Sequence, residues 1–230
     1  MKLKKIAALA LAGMMAVSML AACSDKTTTD NEEENNIVAA ADAAAYANDA
    51  LSAELKEYIT VKTSTTLDGW VKDIATDTSK FGSNDIEYDY KNVLQVETGA
   101  NAPGNQNTLR DELKKKVVDS NVVYKDINSL DEVPADASDK QTSSIVYVMS
   151  GMLDEKTAVQ NVAKFLITAD RFPAAIGTTS GSYTVYSHNC DYVVEISALK
   201  VTNDSLKGES AWVIGVVVTQ TVTKVANVEA

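Results

Sequence analysis

The last fifty residues constrain the fold most, because apolar and polar side chains alternate there over long stretches. Alternation with a period of two is the signature of a half-buried strand, and it predicts strands over 182–187, 192–201 and 211–225. The polar residues 203–208 predict a turn between the last two. Consecutive strands joined by short turns indicate a β-meander at the C-terminus. One face of the last strand carries Trp212, Ile214, Val216, Val218 and Val222.

Helical patterns precede the meander. Residues 37–58 are rich in alanine, the best helix former, and carry apolar side chains at spacings of three and four. A short helix is predicted over 67–74. Thr108 and Asp154 are candidate N-caps of two further helices. The predicted inward residues of these last two helices are Leu109, Leu113 and Val117, then Val159, Val162, Ala163 and Leu166.

Strands are also predicted between the helices, over 59–66, 86–96 and 144–149. The stretch 144–149 is apolar on both faces, which favours a central position in the sheet. Residues 128–142 are polar and predicted to be irregular. Because helices and strands mix without a strict strand–helix–strand rhythm, the pattern predicts an α+β fold. We expect a mostly antiparallel sheet with three to four helices packed on it.

The first 22 residues are unlike the rest of the chain. Three lysines, at positions 2, 4 and 5, precede an apolar run over 6–20, and small residues follow immediately before Cys23. A charged segment, an apolar segment and a small-residue cleavage site are, in that order, the pattern of an export signal. The alternative is an uncleaved membrane-spanning helix. The apolar run is a little short for that, since a span needs about 20 residues.

The residues Leu20-Ala21-Ala22-Cys23 resemble the lipobox of bacterial lipoproteins. The resemblance covers only the N-terminal tenth of the chain. It implies that a diacylglyceryl group is attached to Cys23 and that residues 1–22 are removed. It further implies export by the general route and a protein anchored in the cell membrane, facing outside the cytoplasm. Two acyl chains on one residue hold a protein firmly on a bilayer.

Three segments follow from this interpretation: a cleaved signal peptide over 1–22, a lipidated cysteine with an acidic linker over 23–36, and one α+β domain over 37–230. The linker carries no apolar residue after Cys23, so it is predicted to be disordered. Removing the three signal lysines changes the formal charge from −11 to −14. Such an acidic domain repels nucleic acid, which is excluded as a partner.

Two residues are secondary candidates for chemistry: His188, the only histidine, and Cys190, the only cysteine besides Cys23. On an extended chain their side chains point to the same side, and an imidazole beside a thiol can activate a nucleophile. Catalytic Cys–His pairs are usually far apart in sequence, however. The favoured interpretation of 187–191 is therefore a turn with a structural cysteine.

Other chemistry finds no support in the sequence. One histidine and one free thiol cannot supply a zinc site, and the calcium-like run that begins at Asp77 lacks key ligands. No phosphate-binding loop or hydrolase motif occurs, and no cofactor is predicted. We therefore expect a non-catalytic domain that binds an unknown protein or small molecule. The alternatives are a structural or assembly subunit of a cell-envelope complex and, third, a hydrolase that uses Cys190.

Overall fold

The computed structural model describes residues 36–39, 42–77, 81, 106–132, 139–180, 183–203 and 208–225. All of them belong to the unit Glu33–Ala230. They form one six-stranded sheet with α-helices packed against it, which confirms the predicted α+β class.

The elements are numbered in chain order. The strands are β1 (Asn36–Ala39), β2 (Ile59–Lys62), β3 (Lys140–Ser150), β4 (Ala175–Ser180), β5 (Tyr183–Asn203) and β6 (Glu209–Lys224). The helices are α1 (Ala43–Ala50), α2 (Thr65–Thr76), α3 (Gln106–Asp119) and α4 (Glu155–Leu166). Short 3₁₀ turns lie at Leu55–Glu57 and Ile127–Ser129.

The sheet is built around β5, which has 21 residues. Strand β6 pairs antiparallel along one edge of β5, and β3 pairs antiparallel with the far edge of β6. The other edge of β5 is shared by three short strands in succession: β4, which is antiparallel, β2, which is parallel, and β1, which is antiparallel. The sheet is thus mostly antiparallel, and a C-terminal meander is present as predicted, although its first strand is β4 and not the predicted stretch 182–187.

Each face of the sheet carries its own buried cluster. Helices α1 and α4 pack on one face, against the side chains that β5 and β6 present at even-numbered positions. Helices α2 and α3 pack on the other face, against odd-numbered positions of the same two strands. The predicted inward residues of α3, α4 and β6 all lie in these clusters, since period-3.6 and period-2 stripes mark the buried sides of helices and strands.

The helix predicted over 37–58 is present only over Ala43–Ala50, and its predicted bounds are wrong. The chain instead forms β1, then the eight-residue helix α1, then the 3₁₀ turn, and Leu51 is already extended with φ −79° and ψ 143°. Tertiary pairing explains the difference, because Asn36–Ala39 pair with β5 and Ile59 must return to the same strand. Helix propensity is a weak prior that such pairing overrides.

The predicted turn over 187–191 is also wrong. The two strands predicted over 182–187 and 192–201 are one continuous strand, β5, with His188 and Cys190 inside it. Pairing continues through this polar stretch, since Asn189 lies opposite Thr223 and Asp191 opposite Thr221. Neighbouring strands on both sides satisfy the backbone here, which local composition does not reveal.

Smaller differences concern α3 and β3. Helix α3 begins at Gln106, two residues before the predicted cap, and β3 begins at Lys140, inside the stretch predicted to be irregular. Strand β3 is buried on both faces as predicted. Within the described ranges, however, it pairs with β6 alone apart from one bridge between Tyr124 and Thr142, so its central position is not confirmed. The strand predicted over 86–96 lies outside the described residues.

Candidate functional site

Strand β5 places His188 and Cys190 two positions apart, with Cys190 among the even-numbered residues that face α1 and α4. The Cys190 side chain is buried, with 2% of its surface exposed, whereas His188 is partly exposed. His188 pairs through its backbone with Ile176 of β4 and Lys224 of β6. The two candidates therefore share a strand, but only one of them reaches solvent.

The surroundings of the Cys190 thiol keep it protonated. Burial raises its pKa, and the carboxylate of Asp191 acts in the same direction. Hydrogen bonds with Tyr192 and Gln220 oppose this shift without reversing it. Nucleophilic cysteines need a lowered pKa and access to solvent. The geometry of Cys190 thus favours the structural role predicted from the sequence over the hydrolase alternative.

Cys190 belongs to a buried polar network that the sequence did not predict. Its centre is Gln220, whose side-chain Nε2 donates to the carbonyl of Leu130 at 2.8 Å and to the hydroxyl of Tyr192 at 2.9 Å. The Oε1 of Gln220 accepts a hydrogen bond from Nε2 of Gln141, the residue opposite it on β3. Both donors of the Gln220 amide are thus used, as a buried amide requires.

Tyr192 links this network to the chain that leads into β4. Its hydroxyl donates to the carbonyl of Pro173 at 3.0 Å. The ring of Phe172 lies edge-on to the Tyr192 ring at 5.2 Å, and the ring of Tyr58 lies at 6.2 Å. Burial, and then the neighbouring Cys190, raise the pKa of Tyr192. The network therefore consists of neutral groups that satisfy one another, an arrangement that fixes structure rather than one prepared for a reaction.

One sequence signal could have located this network. Gln220 occupies an even-numbered position in β6, where every other inward residue from Trp212 to Val222 is apolar. A polar side chain in an otherwise apolar stripe needs a buried partner. The partners themselves could not be predicted, because they come from three separate parts of the chain.

The described part of the chain offers neither a metal-ion cluster nor a membrane-spanning helix. No three histidine, cysteine, aspartate or glutamate side chains there come together as ligands for a metal ion. None of the helices in the same ranges has the length and hydrophobicity needed to cross a membrane. The candidate calcium run at Asp77 continues outside the described residues, and so does the whole N-terminal segment with Cys23.

Comparison with known proteins assigns no family: no family model matches the chain, and no curated protein or solved structure matches it significantly.

Proposed function

We propose that this chain is a bacterial lipoprotein, anchored through a diacylglyceryl group on Cys23, whose domain binds a partner outside the cytoplasm without catalysis. The observation that carries the proposal is the sequence Leu20-Ala21-Ala22-Cys23 at the end of a charged and then apolar leader. The folded part of the chain supports it in one respect. Its only cysteine, Cys190, is buried and therefore unsuited to acylation.

The exposed surface supports a protein as the partner. Five large apolar side chains are exposed among the described residues, and three of them, Val118, Val122 and Val123, lie within six consecutive positions. Exposed apolar side chains that adjoin one another on the surface are typical of protein–protein contacts, and three exposed valines so close in the chain support such a surface here. A protein is therefore favoured over a small molecule. The same observation supports the alternative function, an assembly subunit of an envelope complex.

Expression of the full chain in a bacterium tests the anchor. We expect the wild type to partition into the detergent phase, and its intact mass to show the loss of residues 1–22 and the gain of a diacylglyceryl group. Cys23→Ala should keep the leader, lack the lipid mass and lose the lipid-dependent partitioning, because the acylated thiol is gone.

Cys190→Ala is the matched control, since it removes the other cysteine and should leave both partitioning and lipid mass unchanged. A Cys23→Ala protein with the same mass as the wild type would contradict the proposal. To separate the two functions, the wild type is purified from mildly solubilised membranes. Recovery in one complex of fixed stoichiometry would favour the assembly subunit.

A further inference from the structure

The segment 122–125, just after α3, lies alongside β3 on the side away from β6. Tyr124 forms a parallel bridge with Thr142 of β3. The N–H of Thr142 donates to the carbonyl of Val123 at 2.8 Å, and the N–H of Lys125 donates to the carbonyl of Thr142 at 2.9 Å. Because α3 itself packs on β3, the helix and this segment together form one surface, which we call the α3 edge.

The backbone of the α3 edge has hydrogen-bonding groups that face outward. In a β bridge the backbone groups of successive residues point to alternate sides. Val123 and Lys125 use theirs on β3, so the N–H and the carbonyl of Tyr124 point away from the sheet. Among the described residues neither of these two groups has a hydrogen-bond partner. Such groups are able to pair with an extended segment of another chain.

Three valines of the α3 edge have between 38% and 49% of their surface exposed: Val118, Val122 and Val123. Nζ of Lys114 lies 5.1 Å from the centre of the Tyr124 ring, which places that face of α3 beside the segment 122–125. Val118 is one turn further along the same face, since residues four apart are neighbours on a helix. Asn121, with a left-handed φ of 62°, ends the helical path between Val118 and Val122. The valines therefore adjoin one another.

Charges of opposite sign are separated along the exposed side of α3. Lys114 and Lys115 are exposed one turn before the end of the helix, and Asp119 is exposed at its last position. None of the three forms an ion pair with another described residue, whereas Lys116 pairs with Asp73 at 2.8 Å. If two copies of α3 lay antiparallel, the lysines of each would face Asp119 of the other. A parallel arrangement would instead bring like charges together.

We propose that the α3 edge is a two-fold interface between two copies of this chain, in which α3 and the segment 122–125 of each copy lie antiparallel to those of the other. A two-fold contact uses the same surface on both copies, so that surface must complement itself. The α3 edge does so in three respects: outward backbone groups, adjoining valines and charges of both signs. The inference rests on the proposed function, since it identifies the protein partner of these valines.

The dimer is expected to be weak in solution. The exposed apolar area is small, and two copies that each carry a formal charge of −11 repel one another. Confinement of both copies to one membrane raises their effective concentration and favours the contact. The interface is therefore tested in membranes and not in dilute solution.

Cross-linking of the full chain in membranes of the expressing bacterium tests the interface. Val118→Cys and Met152→Cys each introduce one exposed thiol, and Met152 is the matched control because it is 71% exposed and lies outside the α3 edge. Wild type gives the background, since Cys190 is buried. With a short bismaleimide we expect several-fold more covalent dimer, of twice the monomer mass, for Val118→Cys than for Met152→Cys.

Equal yields at positions 118 and 152 would overturn the homodimer. A product that joins position 118 to a protein of different mass would also overturn it, because the α3 edge would then bind another chain. The intact mass of each sample is measured first. If the lipid mass is absent, the proposed anchor has failed; if the lipid is present and position 118 gives no dimer, only this inference has failed.

Charge reversal tests the antiparallel arrangement, with Val118→Cys as the background. Adding Lys115→Asp should lower the yield of dimer several-fold, because two negative charges then face each other. Adding Asp119→Lys as well should restore the yield, since opposite signs face each other again. Circular dichroism establishes that each variant is folded. A folded double variant that did not recover the yield would overturn the arrangement.

Discussion

One face of the sheet packs against α1 and α4 and the other against α2 and α3, yet the two interfaces are filled differently. The first buries the network of Gln220, Tyr192 and Gln141 together with the Trp212 indole, whose N–H donates to the carbonyl of Leu153. The second face also buries polar side chains, but they are hydroxyls: Ser144 and Ser197 lie among its apolar residues, and Oγ of Ser144 is 3.4 Å from the Tyr124 hydroxyl. The first face therefore contains a connected network of buried amides, whereas the described contacts of the second face are mostly apolar.

The two faces fix the positions of their elements in different ways, one by hydrogen bonds and the other by side-chain packing. Hydrogen bonds are directional, so the network ties β3, β5 and β6 to the chain around Leu130 and Pro173. Close packing is selective through volume. On the second face Gly215 leaves room for α2, because a Cβ atom at that position would overlap the Val71 side chain. We therefore expect the first face to be most sensitive to loss of a hydrogen-bond partner and the second to added volume.

Gln220→Leu should give the largest effect. It leaves Gln141 and the Leu130 carbonyl buried without their partner, and each such group costs about 1–3 kcal/mol. We expect the free energy of unfolding to fall by about 3–4 kcal/mol, measured by urea denaturation.

The double variant Gln141→Leu, Gln220→Leu supplies the control. Replacing both facing amides leaves neither one buried without its partner. The double variant should therefore lose about 1–2 kcal/mol less free energy of unfolding than the sum of the losses of Gln141→Leu and Gln220→Leu. Strict additivity would show that the two side chains are independent, and the description of this face as a connected network would then be wrong.

Gly215→Ala tests the second face. The added methyl group must displace Val71 and lies 3.6 Å from the side chains of both Leu67 and Leu113. Overpacking of this kind costs about 1–3 kcal/mol. We expect a loss of about 2 kcal/mol in the free energy of unfolding, again from urea denaturation.

Gly69→Ala is the matched control, because Gly69 lies in α2 itself and has open space around it. Alanine is the better helix former, so this variant should gain about 0.5–1 kcal/mol. If both alanine variants changed the free energy of unfolding in the same direction, close packing of α2 against Gly215 would not be needed. The proposed role of packing on this face would then be wrong.

Sequence patterns anticipated the apolar parts of both faces well. The stripes of α3, α4 and β6 are long enough to show their period, and their predicted residues are buried. Hydrophobic burial depends on which side of an element a residue occupies, and that information is local. The class and the C-terminal meander followed from it directly.

The features that could not be predicted from the sequence are those that depend on residues far away in the chain. The polar run from Ser187 to Asp191 has the composition of a turn and becomes strand only because β4 and β6 pair with it. Strand β4, which is rich in glycine, threonine and serine, was not predicted at all. The partners of Gln220 meet only in the folded chain. The proposed lipidation of Cys23, in contrast, depends on a local pattern, Leu20-Ala21-Ala22-Cys23, that the sequence shows directly.

The smallest effect is expected from removing one helix N-cap on each face of the sheet. The side chain of Asp154 accepts from the N–H of Thr157 at 2.9 Å and begins α4, while the Ser64 side chain accepts from Leu67 at 3.3 Å and begins α2. Asp154→Ala and Ser64→Ala should each lower the melting temperature by a few degrees at pH 7, because each removes an N-cap. Calorimetry measures both.

The dependence on pH distinguishes the two caps. The hydroxyl and backbone hydrogen bonds from Thr157 lower the pKa of Asp154 in the folded state. Its stabilisation is therefore complete above the unfolded value of about 3.9 and is lost as the pH falls through the lower folded value. The difference in melting temperature between wild type and Asp154→Ala should shrink at acid pH, whereas the difference for Ser64→Ala, a neutral cap, should persist. A Ser64→Ala difference that also vanished at acid pH would show that acid weakens the start of α2 by another route, and the contrast between the two caps would then be wrong.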